Sequence, residues 1–594
     1  MFCNIIPILL YGGNMSSNIS KQKREQMMQF LSKLKEEHKD DDAMLIALGE
    51  IETELNAKKY GLVWEEHEEA VDVMMKDNIP VFTECADKEI HASDSDDYNF
   101  LLEGDNLHSL HLLEKTHYEK IDLIYIDPPY NTGEKDFIYD DNYVDTNDTF
   151  RHSKWLSFMS ERLRVAYRLL APHGFIFISI DDKEAASLRL LCDEIFGESN
   201  YEKTDYIQVR YPDKTLKSDM KYHKEIEQVL VYKKSDEAKP YIKPQEYNYE
   251  KFIYSIEELT TGTEMKLGGK QVVLFKDGEY RITKHDAGFK DGLKEIWATG
   301  TILNGNSSGR FFRDYLDGRK VKDGLGALYK VFDIGDDQYD YRYFTGPKKQ
   351  NATKGKYYQG VPIDKMEDGA KKITPIPNFY DMAGDFGNIR HEGGVAFNSG
   401  KKPVKMIKRF LEYFESRDIC VLDFFAGSGS TGHAVLNLNK EDGGNRKFIL
   451  CTNNENGICE NITYQRIKTV ITGKREDGSD YSDGMPANLK YYRTDFVSKN
   501  EEYLSDALLE HVAEMIQLEH GIKLDGKRYI TVMNDDEADR LAEHWSEYPD
   551  VKALYVSKNV LFTTEQNALF KDVDIHIIPD YYFNFELREV GETW

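Results

Sequence analysis

Positive charge, paired cysteines and long apolar runs are all scarce in this chain, and each scarcity removes a class of protein. Lysine and arginine number 77 against 105 aspartates and glutamates, a formal net charge of −28. That balance argues against indiscriminate binding to a polyanion and leaves only a local basic groove open. The six cysteines, Cys3, Cys85, Cys192, Cys420, Cys451 and Cys459, form no CxxC pair and keep no regular spacing. Neither a disulfide framework nor a zinc site is indicated, and no metal is expected. Cys192, Cys420 and Cys451 sit inside apolar runs, where a free thiol acts as a small hydrophobe. No apolar run is long enough to span a membrane. Residues 1–14 are apolar but lack the basic start and small-residue cleavage site of a signal peptide. Met15 precedes a polar cap and a helix, so it reads as the natural start and residues 1–14 as an upstream extension. No internal repeat, no GK[ST] loop for ATP-driven work and no nuclease motif is found. The expectation is a globular, cytoplasmic protein.

Aromatic residues, by contrast, are plentiful, with 38 Tyr and 30 Phe, and 594 residues are too many for one core. Residues 1–75 read as a helical region in which Met44, Leu48, Ile51 and Leu55 form a narrow apolar seam, suited to packing on the rest of the chain or on a second copy. Residues 76–245 have an α/β pattern. The run "IDLIYI" at 121–126 is continuously apolar, as in a parallel strand covered on both faces, and further strands are expected at 174–180 and 227–233. Leu156, Met159, Leu163 and Leu170 share a helical face between them. Helical periodicity fades over 246–385. It returns in 386–485, where Val404, Ile407, Leu411 and Phe414 share a face behind Pro403. Strands are expected there at 419–424 and 447–453. Residues 486–594 alternate strands and helices as a small C-terminal α/β domain.

Two motifs carry chemistry. "LDFFAGSGSTGHAV" is a strand, a glycine turn and a helix start, placing Gly427, Gly429 and Gly432 as GxGxxG. Without Cβ atoms, such a loop lets a nucleoside lie against the backbone. A phosphate-binding loop needs lysine after the last glycine, and His433 stands there. A dinucleotide site needs an acid about 20 residues on; Asp442 is too early and Glu455 late. S-adenosylmethionine occupies the same strand–loop–helix in methyltransferases under DxFxGxGxT. Asp423, Phe425, Gly427, Gly429 and Thr431 fit that wording position for position. A purely structural glycine turn is the plain alternative.

The second motif is "DPPY", Asp127, Pro128, Pro129 and Tyr130, directly after the 121–126 strand. Prolines stop the strand and stiffen the turn. An exocyclic amine is a poor nucleophile because its lone pair is conjugated into the ring. A carboxylate at Asp127 and the Pro128 carbonyl, both fixed in direction, can accept its two hydrogens and aim the lone pair at a methyl donor. Tyr130 offers a face on which an extruded base can stack.

The order of these motifs, DPPY before FxGxG, resembles the permuted arrangement of β-class amino methyltransferases acting on DNA. The wording of "FLLEGDNLHSL", "KIDLIYIDPPYNTGEKDFIYDDN", "RHSKWLSFMSERL", "IFISIDDKE", "LCDEIFGE" and "GGNRKFILCTNNEN" is similar to that of the modification (Mod) subunits of type III restriction–modification systems. The resemblance covers nearly all of residues 20–240 and 395–594. It implies a Rossmann-like methyltransferase sheet in permuted motif order, with 76–245 the catalytic half, 246–385 an inserted target-recognition region and 386–485 the cofactor-binding half. The C-terminal domain and the N-terminal helices become docking or dimer surfaces. The resemblance further implies that Asp105 meets the cofactor adenine, that Lys402 and Pro403 stand near its methionine end, and that Asn453 to Glu455 occupy the place of the ribose acid. For Asp105 the plain alternative is a helix N-cap.

Within the middle region, 341–360 holds Arg342, Lys348, Lys349, Lys354 and Lys356 without one acid, interleaved with Tyr341, Tyr343, Phe344, Tyr357 and Tyr358. Bases of one sign neutralise phosphates and aromatics stack on or wedge between bases, so duplex DNA contact is expected here. The activity so read is site-specific transfer of a methyl group from S-adenosylmethionine to adenine N6 in DNA. The enzyme is expected to be a homodimer, with cleavage left to a separate Res helicase–nuclease subunit. A solitary regulatory methyltransferase, a nicotinamide-dependent oxidoreductase and a catalytically silent DNA-binding protein are the other readings. Only the oxidoreductase leaves DPPY without a role.

Overall fold

The computed structural model describes residues 19–39, 41–56, 64, 67–132, 138–139, 142–143, 150–213, 222–298, 308–367, 370–397, 400–589 and 591. The start at Met15, the extension at 1–14 and most of the segment after DPPY lie outside the described residues. The chain divides into two compact units, one of residues 1–239 and 378–594 and the other of residues 240–377.

The first unit is built on an eleven-stranded mixed sheet. Ten strands define its path: β1 Asn78–Glu84, β2 Tyr98–Glu103, β3 Ile121–Ile126, β4 Leu170–Ile180, β5 Tyr201–Gln208, β6 Ile226–Lys233, β7 Phe379–Asp381, β8 Cys420–Asp423, β9 Lys447–Thr452 and β10 Asn488–Ser498. Their order is β1-β10-β2-β9-β8-β3-β4-β6-β5-β7, and Ile90–His91 adds beside β10. Every neighbouring pair from β10 to β4 is parallel. The sheet turns antiparallel at β6, which pairs with β4 and β5. The apolar run of β3 is explained by its place near the middle, where Leu123, Ile124, Tyr125 and Ile126 are all buried. Helices α1 Asn106–His117, α2 Arg151–Leu169, α3 Val404–Leu411, α4 Ser430–Asp442 and α5 Gln465–Thr472 cover it.

Strands β3 and β8 are neighbours, yet the chain leaves them in opposite directions, β3 through α2 to β4 and β8 through α4 to β9. Such a switch point opens a crevice at the carboxyl ends of the two strands. DPPY follows one of them and the glycine loop the other.

Two expected boundaries need correction. β10 lies inside the main sheet, between β1 and β2, so residues 486–594 are not a domain of their own. Behind β10, Tyr529–Val532, Ala553–Val556 and Asp574–Ile577 form a three-stranded parallel sheet. One face has its own small core around Val532, Leu541, Val556 and Phe570. The other sends Ala553 and Tyr555 into the main core. Period-two alternation could not reveal this, because each residue of a strand buried on both faces has a different neighbour sheet or helix. Likewise β7 pairs with β5, so residues 378–385 belong to the first unit rather than to the inserted region.

At the N-terminus, Ile19–Glu37 and Asp42–Asn56 pack as a helical hairpin in which Lys35 pairs with Glu52. Leu48 of the expected seam is buried, whereas Met44 and Ile51 are exposed; a two-helix hairpin covers only one narrow stripe of each helix.

The second unit holds a six-stranded antiparallel sheet ordered Thr263–Leu267, Lys270–Phe275, Leu328–Phe332, Tyr341–Thr345, Lys356–Gln359 and Lys294–Trp297. Val272, Leu274, Tyr329 and Phe344 fill one face. Phe275, Leu328, Tyr343 and Tyr358 fill the other.

Candidate active site

The DPPY turn is held from three sides. Trp155, fully buried on α2, donates its indole N–H to the Pro129 carbonyl at 2.7 Å. Asn131 takes a left-handed conformation, φ 54°, and its amide donates to Glu184 at 2.6 Å. Glu184 also meets His152 at 2.5 Å. The Tyr130 hydroxyl donates to Asp127 Oδ1 at 2.7 Å, which fixes the ring's orientation. Sequence reasoning named neither Trp155 nor Glu184.

A lysine and a second acid complete the cluster. The Lys402 ammonium lies 2.7 Å from Glu227 Oε2, 2.8 Å from the Tyr130 hydroxyl and 3.3 Å from Asp127 Oδ1. Its side chain is only 8% exposed. Lys402 thus joins the DPPY acid itself, a more specific place than the methionine end expected for it. Glu227 went unnoticed, although a signal existed: at two-residue spacing it shares a strand face with the buried Val229 and Val231, an acid where an apolar residue is expected. Because β6 runs antiparallel, its amino end reaches the edge where the parallel strands end, and that delivers Glu227 to the site. Burial pushes the Asp127 carboxyl up despite Lys402. Burial also acts on Glu227, but Lys402 outweighs it and holds that carboxyl down. Burial alone would lower Lys402, yet Asp127 and Glu227 raise it. The opposite directions at the two acids, with 2.7 Å to Glu227 against 3.3 Å to Asp127, make Lys402–Glu227 the tighter pair. Oδ1 of Asp127 is therefore occupied, while Oδ2 has no hydrogen-bond partner among the described residues; 19% of the side chain is exposed.

The glycine loop is braced from inside. Asp423, buried at the end of β8, accepts the Phe425 N–H at 3.0 Å and the Thr431 hydroxyl at 2.5 Å. The motif's acid and threonine thus close the loop on each other and brace it. Burial raises the Asp423 carboxyl to about 7. A folded-state value above the usual 3.8 favours the native state at low pH, and that contribution is lost as pH rises through about 7. Asp423→Asn is therefore expected to gain thermal stability relative to wild type between pH 4 and 8, read as the difference in melting midpoint. A difference constant across that range would contradict the assignment.

Gly427 (φ 49°) and Gly429 (φ 75°) both take left-handed conformations. A Cβ on Gly427 would meet nothing closer than the Phe425 carbonyl at 3.8 Å, so this position faces open space. One on Gly432 would strike Ile467 at 2.8 Å, where α4 packs on its neighbours. Arg466, fully buried on α5, donates to Ser430 Oγ at 2.7 Å and to Glu392 at 3.1 Å. It also approaches His433 at 3.3 Å. Burial and Arg466 hold His433 neutral, lowered to about 3. A buried neutral histidine bonded to arginine cannot serve as a phosphate ligand.

The remaining candidates fall along the same edge in the sheet order β2, β9, β8, β3. Asp105 follows β2 and caps α1, accepting the Leu107 N–H at 2.7 Å, with Arg162 at 3.4 Å; the N-cap alternative holds for that oxygen. Asn106 ties the α1 start to the Phe424 carbonyl at 2.8 Å. Asn453 and Glu455 follow β9 and are exposed. Pro403 sits at the N-cap of α3, just ahead of its first turn. The edge thus presents Asp105, Glu455, an open glycine cradle and Asp127, with Glu227 behind them taken up by Lys402. That acidic lining fits a nucleoside bearing a positive sulfonium and an ammonium. It does not fit a nucleotide's phosphates.

In the second unit the expected DNA contacts separate. Arg342 is buried and bound to Asp337 at 2.8 Å, Asp336 at 3.1 Å and Ser308 at 2.9 Å, so its expected phosphate contact is corrected to a structural one. Tyr343, Phe344 and Tyr358 are core residues of adjacent strands and cannot stack on bases. Lys356 pairs with Glu295 at 2.5 Å and lies over the Trp297 ring at 4.8 Å. Lys348, Lys349 and Lys354 are exposed between Tyr341–Thr345 and Lys356–Gln359.

Residues 121–464 match the DNA methylase family; the match takes in both motifs and more than half of the chain, and the chain belongs to that family. Among curated relatives, it is 32% identical over 409 residues to the Type III restriction-modification enzyme StyLTI Mod subunit of Salmonella typhimurium, covering 64% of this chain and 56% of the relative. It is 29% identical over 456 residues to the EcoPI Mod subunit of Escherichia phage P1, covering 68% and 65%. With the EcoP15I Mod subunit of Escherichia coli it shares 25% identity over 590 residues, covering 88% and 86%. The chain thus spans less than two thirds of the length of the first two. No helix among the described residues is long and apolar enough to cross a membrane.

Proposed function

We propose that this protein methylates N6 of adenine at a specific site in duplex DNA, with S-adenosylmethionine as donor, as the cytoplasmic modification subunit of a type III restriction–modification system. The observation that carries the reading is Asp127 Oδ2, without a hydrogen-bond partner among the described residues, at the β3–β8 crevice beside a glycine cradle. Asp105, Glu455 and the Phe425–Gly429 loop would hold the cofactor, since they follow β2, β9 and β8 in the order that leads to Asp127. Bound there, S-adenosylmethionine supplies an electrophilic methyl group. The target adenine leaves the duplex and stacks on the Tyr130 ring, whose centroid lies 5.1 Å from the Lys402 ammonium. Asp127 Oδ2 accepts one amine hydrogen and the Pro128 carbonyl the other, which turns the lone pair toward the donor. Asp127 then takes the proton the amine releases as its new bond forms. A Res helicase–nuclease and a second copy of the chain are the partners that the likeness to Mod subunits supports.

DNA from a host lacking adenine methylation, expressing this chain, tests the reading. N6-methyladenine at one recurring sequence supports it; unmodified adenine throughout, with the protein folded and present, refutes it. For the second unit, Lys348→Glu combined with Lys349→Glu and Lys354→Glu is expected to weaken DNA binding at all sequences. The slope of log affinity against log salt should become shallower by roughly 2–3. An unchanged slope would remove these lysines from the interface.

A further inference from the structure

Lys402 presents three donors to three acceptors: Glu227, the Tyr130 hydroxyl and Asp127 Oδ1. The allocation matters, because a buried ammonium released from one carboxylate collapses onto the other. Were Glu227 not present, the only nearby anion among the described residues would be Asp127, the group whose lone pairs the substrate amine needs.

We propose that Glu227 is a positioning residue for methyl transfer: it takes up the Lys402 ammonium and so leaves Asp127 Oδ2 open to the amine. The inference rests on the methyltransferase reading above and adds to it a residue outside both motifs, on the one antiparallel strand that reaches the site. Glu227 itself touches neither donor nor base in this scheme. It acts through Lys402, and through the Tyr130 hydroxyl 3.4 Å away.

Glu227→Gln keeps the side chain's size and removes its charge. It is expected to lower kcat roughly 10–100-fold, the penalty of a misplaced catalytic group, with S-adenosylmethionine affinity and KM for DNA within about twofold of wild type. Glu227→Asp should recover part of the loss. In a Lys402→Met background, Glu227→Gln should cost little more, because the ammonium it positions is gone. The pH profile supplies a reading that a merely structural role would not move. Lys402, Tyr130, Glu227, Tyr125 and Asp423 act on Asp127, and Lys402, Tyr130 and Arg210 act on Glu227. Removing Glu227's charge removes a repulsion that raises Asp127, so the acid limb of kcat should move to lower pH even as the plateau falls. An unchanged kcat, a full additional loss in the Lys402→Met background, or an unmoved acid limb would each overturn the proposal. Wild type that transfers no methyl group would instead overturn the methyltransferase reading, and this inference with it.

Discussion

Asp127→Ala is expected to reduce methyl transfer by roughly 10²–10⁴-fold, the range for removing a general base that acts in the transition state. S-adenosylmethionine should still bind, because the glycine loop, Asp105 and the Asn453–Glu455 segment do not depend on Asp127. The turn should also keep its shape, since Trp155 holds Pro129 and Glu184 holds Asn131. Two losses act together in the variant. The amine loses its ionised acceptor, so its lone pair stays conjugated with the ring. The Tyr130 hydroxyl loses the partner at 2.7 Å that fixes the stacking surface. Single-turnover transfer and equilibrium binding, measured side by side, separate these effects from lost affinity. Loss of cofactor binding in parallel with loss of transfer would mean that Asp127 belongs to the cofactor site.

Arg162→Met is expected to have the largest effect on stability. Arg162 is fully buried on α2 with its guanidinium 3.7 Å over the Phe158 ring. It donates to Glu69 at 2.6 and 3.1 Å and to Asn106 at 2.6 Å. Breaking such a pair from one side leaves a buried carboxylate without compensation and costs about 3–5 kcal/mol. Burial already pushes the Glu69 carboxyl up against the pull of Arg162. Glu69→Gln combined with Arg162→Met should recover part of the loss, since the buried Glu69 charge is then gone while Asp105, 3.4 Å from the guanidinium in wild type, still loses its partner; urea unfolding of the three variants measures it. A double variant as unstable as Arg162→Met alone would point to lost packing rather than to stranded charge.

Much of this was legible in the chain, and the failures have identifiable causes. The 121–126 and 419–424 strands and the turns after them were readable because continuous apolar runs end at residues that stop or bend a strand. Arg162 was also within reach, since it lies on the apolar face marked by Met159 and Leu163. Glu227 was harder. Its importance comes from strand direction, and nothing in "EIEQVLVYK" says that β6 runs antiparallel. The basic run at 341–360 misled for a related reason: charge composition along a strand does not tell which side chains meet acids from other segments, as Asp336 and Asp337 meet Arg342. The DxFxGxGxT wording named the correct loop, but only coordinates show that its acid and threonine bind each other.

The measurement that bears most directly on the chemistry is transfer of tritiated methyl from S-adenosylmethionine to DNA free of adenine methylation. Wild type is set beside Asp127→Ala, and the labelled nucleoside is identified after digestion. Label in N6-methyladenine from wild type, and a loss of about 10²-fold or more in the variant, is the expected result. Label in N4-methylcytosine, or equal labelling by both proteins, would contradict the role given to Asp127 and the DPPY turn.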